Sequence, residues 1–155
     1  MTAMTSRSPG NAVQAAFVSL LRADPTIAGL LASIAGVDPL TPAVIDQPAE
    51  GQTYPYVVVG DHLSIADNDH TSFGREGTEN LHIWTKARSN KPGQEIADAC
   101  IGVLDHQVRA LSDALAAEGF RCVSVRAEFD QALRDPDPQV RHHVVRFRVQ
   151  TQQTS

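Results

Sequence analysis

The hydrophobic residues of this chain recur with two spacings, one typical of helices and the other typical of strands. Three segments have apolar positions at every third or fourth residue, the period of an amphipathic helix. These segments run from Asn11 to Ala23, from Pro25 to Gly36 and from Pro92 to His106. Helical spacing returns from Ser112 to Glu118, and the pattern leaves open whether Gln107–Leu111 interrupts this main helix.

Strand patterns occupy most of the remaining chain. The segment Tyr54–Asp61 has three consecutive valines after two aromatic residues, so it is predicted to be a strand that is apolar on both faces. Such a strand needs cover on both sides, from the chain's own helices on one side and from a further layer or a second copy on the other. Three other segments alternate between apolar and polar residues, namely Thr78–Trp84, Cys122–Phe129 and Val144–Val149.

The last two of these strands are separated by the turn sequence Asp135–Pro138, which predicts a long antiparallel hairpin. In its first strand, Val123, Val125, Ala127 and Phe129 are expected to share one face. The proline-flanked residues Ala43–Asp46 are predicted to form only a short edge strand. The polar segment His62–Gly77 has little to bury, and it is predicted to be a long loop.

The order of these elements predicts an α+β fold, in which helices pack on one face of an antiparallel sheet that ends in the long hairpin. At 155 residues and 42% hydrophobic content, the chain can bury a core as one domain, predicted for residues 11–150. Residues 1–10 and 151–155 have no pattern, and they are predicted to be flexible tails.

Composition restricts the classes of partner. The formal charge of −5 argues against general nucleic-acid binding and against attraction to anionic lipid, and no segment is apolar for long enough to span a membrane. Cys100 and Cys122 lack metal-ligand spacing, and they are predicted to be core residues in a reducing compartment.

No catalytic, cofactor-binding or metal-ligating residue is predicted. The acidic run Asp67-Asn68-Asp69-His70 places oxygen ligands together, but Ser72 and Thr78 stand where an EF-hand loop needs a glycine and a glutamate. The familiar hydrolase, phosphate-loop and dinucleotide motifs are also missing from the sequence. A small metal-dependent or ligand-binding enzyme that uses the segment Asp61–His70 remains an alternative, because catalytic groups can meet in space.

Arginines accumulate in the last third of the chain, and they suggest a contact between subunits. We predict that Arg126, Arg146 and Arg148, with Trp84 beside them, face another copy of the chain, because arginine and tryptophan are common interface anchors. The opposing surface is predicted to contain three acidic residues, Asp61, Asp67 and Asp69. The alternatives are a solvated hairpin face with Trp84 in the core, and an adaptor whose arginines contact DNA.

The combination of several motifs resembles a known family. These motifs are, in order, an Asp-Pro step between two helices, Tyr54-Pro55-Tyr56-Val57-Val58-Val59-Gly60-Asp61, Leu81-His82-Ile83-Trp84-Thr85, Ile96-Ala97-Asp98-Ala99 and the hairpin end Val144-Val145-Arg146-Phe147-Arg148. Together they resemble the tail completion or tail terminator proteins of long-tailed bacteriophages, prophages and gene-transfer particles, over roughly Val13 to Gln150.

The resemblance implies a structural virion protein without enzymatic activity or cofactor. Such a protein caps the head-proximal end of the tail tube as a hexameric ring, stops tube growth and offers the surface that docks to the head. Its partners are other copies of itself, the tail tube protein and a head-completion or connector protein. It stays in the bacterial cytoplasm before assembly, and DNA passes through the ring without specific binding. An acidic lumen formed by the segment between Asp61 and Glu79 would suit that passage.

Overall fold

The computed structural model describes residues 4–35, 43–48 and 50–155. Within these residues the helices are α1 (Gly10–Ala23), α2 (Pro25–Ala35), α3 (Lys91–Leu104) and α4 (Val108–Leu115), with a 3-10 turn at Ala116–Glu118. The strands are β1 (Val44–Ile45), β2 (Tyr56–Ala66), β3 (Gly74–Lys86), β4 (Phe120–Arg134) and β5 (Val140–Gln153). The predicted α+β class is confirmed.

One sheet holds all five strands in the order β1-β2-β3-β5-β4. Strands β2, β3, β5 and β4 pair antiparallel, as predicted, and β4 and β5 form the terminal hairpin. The short strand β1 pairs parallel to β2 through Val44 and Ile45, so the sheet is mixed and not purely antiparallel. Strand β1 lies at the edge of the sheet, as predicted.

The helices pack on one face of the sheet. Alternate residues of β2, β3 and β5 point to this face, and they form the core with the apolar stripes of α1, α3 and α4. The fully buried hydrophobic residues of β2, β3 and β5 are Val57, Val59, Leu81, Ile83, Val145 and Phe147. Phe17 of α1 meets Phe147 edge to face with ring centroids 5.5 Å apart, which fixes α1 over the middle of the sheet.

The prediction of a long loop at His62–Gly77 is wrong, because β2 continues to Ala66 and β3 begins at Gly74. Leu63 and Ile65 alternate with polar residues over this stretch, which is the period of a strand. Of the charged residues that suggested a loop, Arg75 and Glu76 pair within the sheet, whereas Asp67 and Asp69 lie outside the strands. Only residues 67–73 form the connection between the two strands.

The face pattern predicted for the hairpin's first strand is also corrected. Cys122 and Val125 are buried, whereas Val123 and Phe129 are exposed. The register with β5 shifts between Cys122 and Ser124 and again between Ala127 and Phe129, so each bulge adds one residue and reverses the alternation. A strict period of two along β4 therefore assigned Val123 and Phe129 to the wrong face.

The main helix breaks slightly earlier than the segment Gln107–Leu111 that the sequence left open. Helix α3 ends at Leu104, and α4 begins at Val108. His106 has a φ of 59°, a left-handed conformation that ends the helical path between them. The turn 105–107 also contacts β4, because the His106 N–H donates to the Val125 carbonyl at 2.8 Å.

The predicted terminal tails contact each other. Strand β5 continues to Gln153, so 151–153 are not an unpatterned tail. The Arg7 guanidinium donates to the carbonyls of Glu118 and Ser155 at 3.2 and 2.6 Å, and it lies over the Phe120 ring. Of the predicted tail 1–10, Gly10 belongs to α1, and residues 1–3 lie outside the described residues.

Both cysteines are buried free thiols, as predicted, and burial raises the pKa of Cys100 to about 12 and that of Cys122 to about 11. Among the described residues, no single helix has the length and apolar composition needed to cross a membrane. Helices α1 and α2 reach that length only as a pair bent by 74°.

Candidate interaction surface

The sheet has a second face, which the described helices leave uncovered and which we call the open face. Cross-strand neighbours share a face, so the register places the side chains of the open face in rows. One row contains Val58, His82 and Val144, and the next contains Gly60, Asn80, Arg146 and Phe129. None of these residues belongs to the hydrophobic cluster that the sheet forms with the helices.

A charged row crosses the open face around Arg148, which the sequence predicted to meet another subunit. Its guanidinium pairs with Glu128 of β4 at 2.5 Å and with Glu76 of β3 at 3.2 Å. The hydrogen bond from Arg148 holds the pKa of Glu128 below its usual range, and the charge of Arg148 acts in the same direction. Arg148 is therefore engaged by acidic residues of its own chain.

Arg146 is also engaged within the chain. Its Nε donates to Asn80 Oδ1 at 3.2 Å, and its guanidinium lies 4.9 Å from the centre of the Phe129 ring. The ring and the cation are both at the surface, where such a contact contributes about 0.5–1 kcal/mol. Arg126 differs from Arg146 and Arg148 because its side chain is exposed.

A second network on the open face connects Asp61, His82, His142 and Trp84. Asp61 Oδ2 lies 2.6 Å from His82 Nε2, and His82 Nδ1 lies 2.9 Å from His142 Nε2. Trp84 stacks on His142 with ring centroids 3.8 Å apart and an interplanar angle of 9°. Burial lowers the pKa of His142 to about 4, and the neighbouring His82 adds to that effect.

This network also shows where the two adjacent histidines point. His142 lies on the open face, and His143 lies on the helix face, as the alternation of a strand requires. The buried one, His143, has no hydrogen-bond partner for either ring nitrogen among the described residues, whereas the half-buried His142 is bonded. Gly93 of α3 allows the helix to approach His143, since a Cβ at this position would lie 2.5 Å from His143 Nδ1.

The remaining predicted acidic residues lie in the short loop between β2 and β3. Asp69 Oδ1 accepts hydrogen bonds from the Thr71 and Ser72 backbone N–H groups at 2.7 and 2.6 Å, which lowers the pKa of Asp69. Asp69 therefore closes an Asx turn, and Asp67 lies exposed beside it. Among the described residues, no cluster of three or more potential ligands forms a metal site.

A buried acid lies on the helix face, and the sequence pattern did not reveal it. Glu79 is 0% exposed, and its Oε2 lies 2.5 Å from His62 Nδ1 beneath the start of α1. Burial raises the pKa of Glu79, and the contact with His62 partly opposes this rise. The pair satisfies one carboxylate oxygen, whereas the second has no partner among the described residues.

Large apolar side chains are exposed near two corners of the open face. Leu63 and Ile65 of β2 are 54% and 60% exposed, and Phe129 of β4 is 40% exposed. The sequence pattern did not predict these exposed positions, because Leu63 and Ile65 fell in the predicted loop and Phe129 was expected to share a face with Val125 and Ala127. The structure therefore brings the predicted interface arginines together on the open face but gives two of them partners within the chain.

Comparison with known proteins identifies the family. The family model described as tail completion protein gp17 matches residues 15–152, which is nearly the whole chain. The chain belongs to this family. A curated member, tail completion protein gp17 of Bacillus phage SPP1, is 28% identical over 105 residues, which cover 68% of this chain and 73% of that protein.

The fold also matches a solved virion component. A chain in the structure titled virion of native gene transfer agent particle superposes with a TM-score of 0.75, at 22% identity, covering 95% of this chain and 99% of the other. This likeness supports the α+β fold, and the family membership places the chain among the structural tail proteins of phages and phage-like virions. The predicted family resemblance is therefore confirmed.

Proposed function

We propose that this tail completion protein caps the head-proximal end of the tail tube as a closed hexameric ring. In that position the ring ends polymerisation of the tube and presents the surface that docks to the head. The partners are then the tail tube protein on one side and a head-completion or connector protein on the other. The observation that carries the proposal is membership of the tail completion family over residues 15–152.

Two features of the surface support an assembly role. One sheet face has no helical cover among the described residues, and it exposes large apolar side chains at Leu63, Ile65 and Phe129. Exposed apolar surface of this kind is commonly covered by a protein partner. We therefore propose that the chain acts as a structural component of an assembly and that it is not an enzyme.

The charge distribution supports passage of DNA without specific binding. Arg148 is neutralised by Glu76 and Glu128, and the whole chain has a formal charge of −5. Phosphate contacts need unpaired cations, and they make affinity fall with salt. Duplex DNA should therefore bind the purified chain weakly, without the steep dependence on ionic strength that a phosphate-binding adaptor shows.

The proposed function is tested by deleting the gene from cells that produce the particle. Electron micrographs should then show tail tubes of variable, excessive length that do not join heads, and a plasmid copy of the gene should restore uniform tails. Tails of normal length that join heads in the absence of the chain would refute the proposal.

A further inference from the structure

The outer edge of β4 is blocked by its own chain from Cys122 to Ala127. Ser112 Oγ accepts from the Cys122 N–H at 3.0 Å and donates to the Cys122 carbonyl at 3.2 Å. The His106 N–H donates to the Val125 carbonyl, and Asp105 Oδ1 accepts from the Ala127 N–H, both at 2.8 Å. Because these backbone groups are already bonded, another strand cannot pair with this part of β4.

The outer edge of β2 is blocked in the same way over its first part. Strand β1 pairs with Val57 and Val58, and the Val57 N–H donates to the Ala43 carbonyl at 2.8 Å. Beyond β1, the Gln14 side chain donates to the Val59 carbonyl at 2.9 Å. The chain thus protects this edge as far as Val59.

Two short segments of edge remain, one on each side of the sheet. On β2, the Asp67 N–H donates to Gly74, so the alternation of an antiparallel ladder directs the backbone groups of Ser64 and Ala66 outward. On β4, Val125 and Ala127 face outward, and the bulge after Ala127 makes Asp130, Ala132 and Arg134 the outward residues of the following stretch. Among the described residues, no hydrogen bond reaches the outward backbone groups of Ser64, Ala66, Asp130, Ala132 and Arg134.

The two unpaired edge segments are complementary in strand direction and in their apolar side chains. Strands β2 and β4 run in opposite directions within the sheet, so a second copy in the same orientation would place its β2 antiparallel to β4 of the first. The open face beside the first segment carries the exposed Leu63 and Ile65, and beside the second it carries Phe129 and the half-buried Leu133. Pairing would bring these side chains together on the same face.

We propose that residues 130–134 of β4 in one copy pair with residues 63–66 of β2 in the next copy, so that the sheet continues between subunits. The two surfaces differ, so the contact is heterologous and can be repeated until a ring closes. The inference rests on the proposed ring, and it specifies the contact that builds it. A second copy is the occupant because the chain supplies both halves of the pair and blocks β2 as far as Val59 and β4 from Cys122 to Ala127.

The test is disulfide cross-linking in tails isolated from cells that produce the particle. Gln131→Cys is combined in one chain with Leu63→Cys or with Ile65→Cys, which samples two registers. Cys100 and Cys122 remain in place, because both are buried and burial raises the pKa of their thiols. Oxidation should convert at least one double variant into a ladder of covalent oligomers larger than a dimer on a non-reducing gel.

The matched control combines Gln131→Cys with Val123→Cys, since Val123 is 47% exposed but lies on the blocked part of β4. This pair and each single variant should give no ladder. Dimers formed by Gln131→Cys alone would indicate a contact between two β4 edges and would overturn the proposal. Tails that contain the ring but give no ladder with either double variant would also overturn it, while leaving the proposed function intact.

A proline substitution gives a second test. Because the Ala132 N–H faces outward, Ala132→Pro removes no hydrogen bond within the chain but removes a donor from the proposed contact. The variant should fold with the circular dichroism spectrum of the parent and be absent from tails, whereas Ala132→Val should enter them normally. A folded Ala132→Pro chain that enters tails as well as Ala132→Val would contradict the edge contact. Absence of the parent chain from tail ends would contradict the ring itself.

Discussion

The hydroxyl of Ser112 is the clearest link between α4 and the edge of β4, and replacing it with alanine tests that link. Ser112 Oγ is bonded to both the N–H and the carbonyl of Cys122, a residue that is only 2% exposed. Ser112→Ala removes both of these hydrogen bonds, and each contributes about 1 kcal/mol to stability, so that together they contribute about 2 kcal/mol. Alanine returns about 0.5 kcal/mol through its higher helix propensity. The net loss is therefore about 1–2 kcal/mol in the free energy of unfolding.

Urea unfolding followed by circular dichroism measures this loss. With a slope of about 2 kcal/mol per molar urea, the midpoint should fall by roughly 0.5–1 M. Ser19→Ala is the matched control, because Ser19 lies exposed in α1, and its replacement should leave stability equal or slightly higher. A Ser112→Ala chain as stable as the parent would refute the assignment of Ser112 as the partner of Cys122.

Three other substitutions test the open face and the core. The pKa of His142 in the folded chain is lowered to about 4, so the unfolded chain binds more protons than the folded chain between pH 6.5 and 4. The free energy of unfolding should therefore fall as pH falls through this window. His142→Gln should weaken this pH dependence, measured by urea unfolding at pH 7, 5.5 and 4.5. Arg148→Met should lower stability by at most about 1 kcal/mol and raise the pKa of Glu128 in a carboxyl NMR titration, whereas Arg126→Met should leave that pKa nearer its original value. Gly93→Ala should cost about 1–3 kcal/mol because its Cβ would meet His143, whereas Gly102→Ala in the same helix, with no atom near its Cβ, should stabilise by about 0.5–1 kcal/mol in thermal unfolding.

The sequence predicts the elements that have a strong apolar period. The stripe of α1 and the buried valines of β2 follow from apolar spacing, and the structure has both. Asp24 precedes Pro25 at the start of α2, where capping rules favour an aspartate, and its Oδ2 accepts a hydrogen bond from the Ile27 N–H at 3.0 Å. These features are local, so a single chain segment contains the information that specifies them.

The predictions from sequence fail where contacts with residues distant in the chain determine the local structure. A fully buried Glu79 is unexpected from local sequence, because its partner His62 lies 17 residues earlier in the chain, on the neighbouring strand β2. The bulges of β4 are specified by the fit to β5 and to the turn 105–107, and neither is visible in the alternation of Val123 and Phe129. The cross-strand partners of Arg148 likewise depend on register, which a pattern of residue types does not determine.

Locating the chain on the assembled tail tests the ring most directly. Tails isolated from producing cells, with a small electron-dense label fused to the chain and imaged head-on and side-on, should show a single labelled six-fold ring at the end of the tube that joins the head. Label distributed along the tube, or found only at the end far from the head, would contradict the account.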